Sequence, residues 1–170
     1  MTKTRGFEVV GAYANKDIHI PTRQTAHAAG YDFEAAADVV IPSLFNQYKT
    51  YLKPRMFAES VPVTFKPTLV PTGIKAYMPD NEYLQIENRS SNPIKQKLIL
   101  ANGVGIVDAD YYNNEDNEGH IMFQFLNFGP EEITIHKGDR IGQGTFIQFQ
   151  IADGDTADGV RTGGHGSTGK

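Results

Sequence analysis

The chain has 170 residues, no cysteine and a net charge of −4 at pH 7. This length suits one domain with a substantial core, and the lack of cysteine excludes disulfides and thiolate metal sites. The acidic surplus argues against stable nucleic-acid binding, which needs a basic face. No leader is recognisable, and no apolar run approaches the roughly 20 residues that cross a membrane. We therefore expect a soluble cytoplasmic protein, and a small anionic ligand held by a few arginines is compatible with this charge.

Short runs of β-branched and aromatic residues predict strands along the whole chain. In chain order they cover residues 7–10, 18–20, 31–36, 39–41, 69–70, 73–77, 83–87, 97–100, 104–107, 121–126, 132–135 and 141–151. The 17 glycines and 9 prolines are spread among them, as is typical of an all-β barrel or sandwich. Asn102 and Gly103 separate two of the runs and predict a tight hairpin turn.

One helix is predicted to begin at Ser43. Leu44, Tyr48 and Leu52 recur after it at helical spacing until a proline ends the pattern. The last ten residues, 161–170, are rich in glycine and hydroxyl groups. Such a tail either stays a solvated terminus or becomes ordered over a phosphate, because glycine lets backbone N–H groups approach an anion closely.

Five short patches contain the residues that are candidates for binding or catalysis. They are Ala29-Gly-Tyr-Asp-Phe33, Asn88-Arg-Ser-Ser91, the stretch from Asn102 to Tyr111, Gly138-Asp-Arg-Ile-Gly-Gln143, and the tail 161–170. Each alone has an ordinary structural explanation, such as a surface pair or a turn. Together and in this order, they resemble the five motifs of the trimeric dUTP diphosphatase (dUTPase) family. The resemblance extends from about residue 28 to residue 169.

The resemblance implies a jelly-roll-like β-barrel over residues 1–152, with an insert at about 43–66. Residues 153–170 would form a flexible C-terminal arm that closes over the active site. It also implies a homotrimer whose three active sites are shared between subunits. The implied reaction converts dUTP to dUMP and pyrophosphate, which limits the incorporation of uracil into DNA.

The resemblance also implies a role for each motif residue. Asp108 would act as the general base on the attacking water, and Ser90 would lie near the oxygen that leaves the α-phosphorus. Asp32 would hold a metal-bound water or orient an arginine, or would make only a structural turn contact. Mg²⁺ would be held by substrate phosphates and water, with no direct protein ligand. The implied substrate-binding residues are Arg89, Ser91, Asn102, Gly105, Val107, Tyr111, Gln143, Arg161, His165, Gly166, Ser167 and Thr168.

Selectivity would come from the third motif. Asn102 and the neighbouring backbone would read the uracil edge, and Tyr111 would pack under the deoxyribose and leave no room for a 2′-hydroxyl. The alternative for Tyr111 is a core or interface aromatic residue. Arg161 would clasp the γ-phosphate together with the tail hydroxyls, while Arg140 would be either a ligand contact or a structural salt-bridge partner.

The chain departs from the family pattern at four places. Ser91 stands where glycine is usual, and an acidic loop at 114–119 follows the third motif. His165 replaces the phenylalanine that stacks on uracil, and imidazole gains a charge below about pH 6.5. The insert at 43–66 is either a decoration packed on the barrel or a docking surface for a partner protein or a neighbouring subunit.

Two other functions stay open at this stage. A dCTP deaminase or a bifunctional relative would share the fold, but it commonly needs a glutamate in the third motif. The pattern Val107-Asp-Ala-Asp-Tyr111 favours a dUTPase instead. The long insert motivates the second alternative, a trimeric dUTP-sensing or protein-binding regulatory module.

Overall fold

The structure is a computed structural model that describes residues 3–48, 66–161 and 163–164. Eleven strands lie in the described residues: β1 (Gly6–Val9), β2 (Tyr31–Glu34), β3 (Val39–Ile41), β4 (Thr68–Pro71), β5 (Ile74–Tyr77), β6 (Glu82–Asn88), β7 (Leu98–Leu100), β8 (Gly105–Asp108), β9 (Met122–Asn127), β10 (Ile133–Ile135) and β11 (Arg140–Gln148). Short helical turns at Gly11–Tyr13, Asn92–Gln96 and Ala109–Tyr111 join some of them. The all-β prediction is confirmed.

The strands pair antiparallel in four sheets. The largest has the order β2-β11-β6-β8, a second has the order β4-β9-β7, and β1 pairs with β5 and β3 with β10. The strands of the described residues form no closed barrel. Because consecutive strands often lie in different sheets, the chain crosses repeatedly between layers, as in a jelly roll.

The core lies between the two larger sheets. Along β6 and β9, buried residues alternate with partly exposed ones, the period-2 pattern of a strand with one face in the core. Leu84 contributes to this core from β6, and Phe123 and Phe125 from β9; all three are fully buried. The ring of Phe33, on β2, lies 5.6 Å from that of Phe123. Burying each such side chain contributes about 1.5–3 kcal/mol.

The helix predicted at Ser43 begins there. Residues 44–48 are helical, and the Ser43 hydroxyl accepts hydrogen bonds from the backbone N–H groups of Phe45 and Asn46 at 3.2 and 3.4 Å. A serine in this position satisfies backbone donors that the first helical turn leaves unpaired. The same hydroxyl donates to the Gly129 carbonyl at 2.6 Å, which ties the start of the insert to the loop after β9. The remainder of the insert, residues 49–65, lies outside the described residues.

Two local predictions are wrong. Residues 18–20 form no strand; the chain meets β2 only through an isolated bridge between Thr22 and Asp32, and Pro21 has no N–H to extend a ladder. The turn at Asn102 and Gly103 closes no hairpin either, because β7 pairs with β9 and β8 pairs with β6. Instead, the turn carries the chain from one sheet to another, and Gly103 adopts the left-handed conformation that the turn requires, with φ +69°. Among the described helices, none is long and apolar enough to span a membrane.

Candidate active site

A pocket opens beside β8, where the third motif ends. Its volume is about 160 Å³, below the ~300–1,000 Å³ of a site that encloses a drug-sized ligand. It can therefore surround one ring of a ligand and leave the remainder outside. The lining residues are Ile86, Asn102, Gly105, Ile106, Val107, Asp108, Tyr111, Ile121, Met122, Gln124, Arg161 and Gly164.

The floor of this pocket depends on the close approach of β8 to β6. Gly105 lies opposite Ile86 in the register. A Cβ atom at Gly105 would stand 2.4 Å from Cγ1 of Ile86, so only glycine fits without displacing that side chain. Further along β8, Asp108 is exposed at the pocket mouth.

Tyr111 forms a rigid wall of the pocket. It ends the helical turn Ala109–Tyr111 and is both buried and part of the core. Its hydroxyl donates to the His120 carbonyl at 3.2 Å and accepts from Nδ2 of Asn117 at 2.8 Å. Burial raises the pKa of the Tyr111 phenol, which keeps it neutral at physiological pH. Tyr111 is thus a core residue and a pocket residue at once.

Arg161 joins the C-terminal arm to this pocket. Its Nη2 lies 2.6 Å from Oδ2 of Asp108, and its Nε lies 2.8 Å from Oδ1 of Asp110. The guanidinium carbon is 5.7 Å from the centre of the Tyr111 ring. The arginine side chain is largely buried, whereas both aspartates are about half exposed.

The acidic loop at 114–119 contacts Gly164 and is built around Asn114. The Asn114 side-chain oxygen accepts from the N–H groups of Asp116 and Asn117 at 3.1 and 3.2 Å. Its Nδ2 donates to the Tyr111 carbonyl at 2.8 Å. One carboxylate oxygen of Asp116 accepts from the Gly164 N–H at 2.7 Å.

A second cluster joins the first, second and fourth motifs. Asp32, on β2, is buried and accepts from Nη1 of Arg140 at 3.0 Å and from Nε2 of Gln143 at 2.9 Å. Both partners are on β11, which pairs with β2. Arg89 donates to the Arg140 carbonyl at 3.0 Å. Asp32 is therefore hydrogen-bonded to both an arginine and a glutamine of β11.

The residues predicted from the sequence fall into these two places. Asn102, Gly105, Val107, Asp108, Tyr111 and Arg161 line the pocket. Asp32, Arg89 and Gln143 belong to the second cluster and are not among the lining residues of the pocket. Ser90 and Ser91 lie on the turn after β6 and also do not line it. His165, Gly166, Ser167 and Thr168 lie outside the described residues.

Sequence reasoning missed several pocket residues. Met122 and Gln124 are partly exposed positions of β9 that alternate with the buried Phe123 and Phe125. The period-2 alternation of this strand places them on one face, but it does not show that this face borders the third motif. Ile86, Ile106 and Ile121 carry no chemical signal at all.

The fold and the pocket together define a class. An all-β protein whose pocket combines apolar walls, two side-chain amides, a carboxylate and a mostly buried arginine is suited to a nucleotide, with a ring enclosed and its phosphates outside. Among the described residues, no group of three His, Asp or Glu side chains is placed to hold a metal ion.

Comparison with known proteins identifies the family. The dUTPase family model matches residues 57–169. A deoxyuridine 5′-triphosphate nucleotidohydrolase from Lactococcus lactis is 50% identical over 169 residues, which cover 98% of this chain and 99% of the relative. The chain belongs to the dUTPase family and is a dUTP-hydrolysing enzyme.

Solved structures agree with this assignment. The crystal structure of a dUTPase from Streptococcus mutans has a TM-score of 0.72 and 39% sequence identity, and the match covers 88% of this chain and 99% of that one. A variant of the dUTPase from phage phi11 of S. aureus, described as coordinating a structural Mg(II) ion, has a TM-score of 0.64 at 14% identity. That match covers 92% of this chain and 98% of the other, and it supports the fold alone.

Proposed function

We propose that this enzyme cleaves dUTP between the α- and β-phosphates, with Asp108 as the general base, and releases dUMP and pyrophosphate. The observation that carries this proposal is the position of Asp108, an exposed carboxylate at the mouth of a ring-sized pocket. A carboxylate there can accept a proton from a water aligned with a phosphate just outside the pocket. Removal of dUTP by this reaction would limit uracil incorporation into DNA.

The pocket itself would hold the uracil and the deoxyribose. Asn102, with its side-chain amide at the rim, would hydrogen-bond the base together with the backbone of Gly105 and Val107. Tyr111 would lie against the sugar and exclude a 2′-hydroxyl, since its ring is fixed by burial and its hydroxyl by two hydrogen bonds. A fixed wall rejects the larger ribonucleotide more strongly than a mobile one would.

The phosphates would contact two groups of residues, each of which contains an arginine. Arg161 is already at the pocket mouth, where its planar fork suits phosphate oxygens. Arg89 and Gln143 belong to the second cluster, and Ser90 and Ser91 lie near it along the chain. Because these residues do not line the pocket of their own chain, we propose that a neighbouring subunit supplies them, in a homotrimer with shared sites.

Asp32 would act on the phosphate site through other residues. Its carboxylate is buried and already engaged by Arg140 and Gln143. This supports an orienting role for Asp32 over that of holding a metal-bound water, and it supports Arg140 as a salt-bridge partner. Gln143 would then direct the second N–H of its Nε2 to a phosphate oxygen, while the first donates to Asp32.

Mg²⁺ is the cofactor that the family implies, and the donor set fits it. This ion keeps several waters and is held largely by substrate phosphates, and Asp108 and Asp110 are half-exposed carboxylates near the pocket mouth that those waters would contact. When bound, the ion would neutralise charge on the phosphate oxygens. We propose no protein cage for it. The cytoplasm as the compartment stays a prediction, as does a protein partner for the insert.

The test is pyrophosphate release from dUTP with Mg²⁺, beside dCTP, dTTP and UTP. We expect release from dUTP alone. Asp108→Asn should lower kcat by about 100- to 10,000-fold, the range of general-base catalysis, while the exposed arm variant Asp153→Asn should match the wild type. Release of ammonia from dCTP would favour the deaminase alternative. A folded wild-type protein that binds dUTP without releasing pyrophosphate would favour the sensing module.

A further inference from the structure

We propose that Gln124 binds the pyrimidine ring of the substrate by donating a side-chain N–H to a carbonyl oxygen of uracil. It would be a second side chain that contacts the base. Gln124 reaches the pocket from β9, whereas Asn102 lies on the turn before β8. The proposal rests on the proposed function, which places the base and the sugar in this pocket.

Gln124 is a polar residue on an otherwise apolar part of a strand face. Its neighbours on the same face of β9 are Met122 and Leu126, because side chains two residues apart in a strand point to the same side. On the adjacent strand β4, Leu69 lies directly opposite Gln124 in the register. An apolar side chain of similar length would fill this space equally well. Packing within the described residues therefore gives no reason for an amide here.

The side-chain amide of Gln124 has unused hydrogen-bonding capacity. It makes no hydrogen bond to the residues that the structure describes. Among those residues, every fully buried side-chain nitrogen or oxygen has a partner, so the amide of the half-buried Gln124 is open to solvent. Because Gln124 lines the pocket, a ligand there can reach the amide. An amide offers two N–H donors and one acceptor oxygen.

The position of Gln124 along β9 places it at the end of the pocket assigned to the base. The carbonyl of His120, just before the strand, accepts from the Tyr111 hydroxyl at 3.2 Å, so the strand begins near the proposed sugar site. Further along the strand, the Gln124 carbonyl accepts from the Ala101 N–H at 2.9 Å. Ala101 directly precedes Asn102, which is proposed to contact the base. Gln124 therefore lies near the base and away from the phosphates.

The hydrogen-bonding edge of uracil favours donation by Gln124. This edge carries two carbonyl oxygens on either side of one N–H group, so it needs more donors than acceptors from the protein. The Nε2 group of Gln124 supplies donors. A ring-sized pocket excludes water from the enclosed base, and a carbonyl left without a partner there would lower the affinity.

The experiment compares the binding of dUMP to the wild type and to Gln124→Met by calorimetry. Methionine has a similar length but no N–H, so we expect the Kd for dUMP to rise about three- to tenfold, the effect of one lost hydrogen bond. The Tm should not fall, because the amide has no hydrogen-bond partner in the described residues. Gln148→Met, at the exposed end of β11, is the matched control and should bind dUMP like the wild type.

Gln124→Glu tests the direction of the hydrogen bond. A carboxylate keeps the length of the side chain but only accepts, so this variant should bind dUMP more weakly than Gln124→Met. Affinity for dUMP equal to that of the wild type in Gln124→Glu would overturn donation by the amide. Unchanged affinity in Gln124→Met, with a wild type that releases pyrophosphate from dUTP, would overturn this inference alone. A wild type that neither binds dUMP nor releases pyrophosphate would defeat the proposed function, and this inference with it.

Discussion

The Nη2 atom of Arg161 lies 2.6 Å from Oδ2 of Asp108, so the proposed general base shares its environment with a guanidinium. The same arginine reaches Asp110 through Nε at 2.8 Å. One cation thus serves two carboxylates at the mouth of the pocket. A substrate phosphate would compete with these carboxylates for the guanidinium. If the guanidinium were removed, the negative charges of Asp108 and Asp110 would repel the phosphate.

We expect Arg161→Gln to lower kcat/KM for dUTP by about 10- to 100-fold, the effect of losing a hydrogen bond to a charged group. Arg161→Lys should recover only part of this loss, because an ammonium cannot reproduce the planar fork. Steady-state pyrophosphate release measures both. Equal kcat/KM in Arg161→Gln and the wild type would contradict a phosphate-binding role.

Gly105→Ala should damage the pocket floor. The new Cβ would lie 2.4 Å from Cγ1 of Ile86, and moving that side chain should cost about 1–3 kcal/mol of stability. Because both residues line the pocket, KM for dUTP should rise as well. Thermal unfolding and kinetics check the two effects. Gly159→Ala is the control, since no atom lies within 4 Å of its Cβ position.

Asp32→Ala should lower the free energy of unfolding by about 1–3 kcal/mol, because it leaves the polar partners of a buried carboxylate without their acceptor. Arg140 and Gln143 would lose the atom that orients them, so KM for dUTP should also increase. Urea unfolding beside Asp153→Ala measures the first effect. A variant as stable as the wild type, with unchanged KM, would show that the orienting role is absent.

The Arg5–Glu82 pair should make stability depend on pH in the acidic range. Two hydrogen bonds from the Arg5 guanidinium, at 2.8 and 2.6 Å, lower the pKa of the Glu82 carboxyl in the folded protein. A lowered folded pKa stabilises the protein above the unfolded value of about 4.3. This contribution is lost as the pH falls from that value through the folded pKa.

Urea midpoints measured across this range test the pair. The wild type should lose stability more steeply on acidification than Glu82→Gln, whose side chain does not titrate. Glu131→Gln, at an exposed position, should follow the wild type. Parallel curves for the wild type and Glu82→Gln would contradict the contribution of the pair.

The sequence predicted those elements whose signal is local. Runs of β-branched and aromatic residues located β6 and β9, and the serine before a helical pattern located the start of the helix at Ser43. The turn at Asn102 and Gly103 was also recognised, but the strands that pair with β7 and β8 on either side of it were not. Asn-Gly specifies a tight reversal, whereas strand pairing depends on which distant strand covers each edge. That information is not contained in the dipeptide.

The same distinction applies to the site. Asp108, Tyr111 and Asn102 were recognised because a motif carries their chemistry. Met122 and Gln124 were missed, since an outward position on a strand has no marker for what lies across from it. The second cluster was predicted residue by residue, but its separation from the pocket within one chain follows only from the fold.

The crossing turn at Asn102 and Gly103 has a consequence for motion. It joins β7 in one sheet to β8 in another. The pocket floor on β8 is therefore connected to both sheets, and β8 cannot move far without disturbing the core between them. β8 is an edge strand that pairs only with β6, so we expect only its amides that face β6 to exchange their hydrogens through global unfolding, whereas the exposed residues 151–160 exchange in small local events. Exchange at the β8 amides that face β6 would report the lifetime of the whole fold, and exchange at the Gly164 N–H would report that of its contact with Asp116 alone.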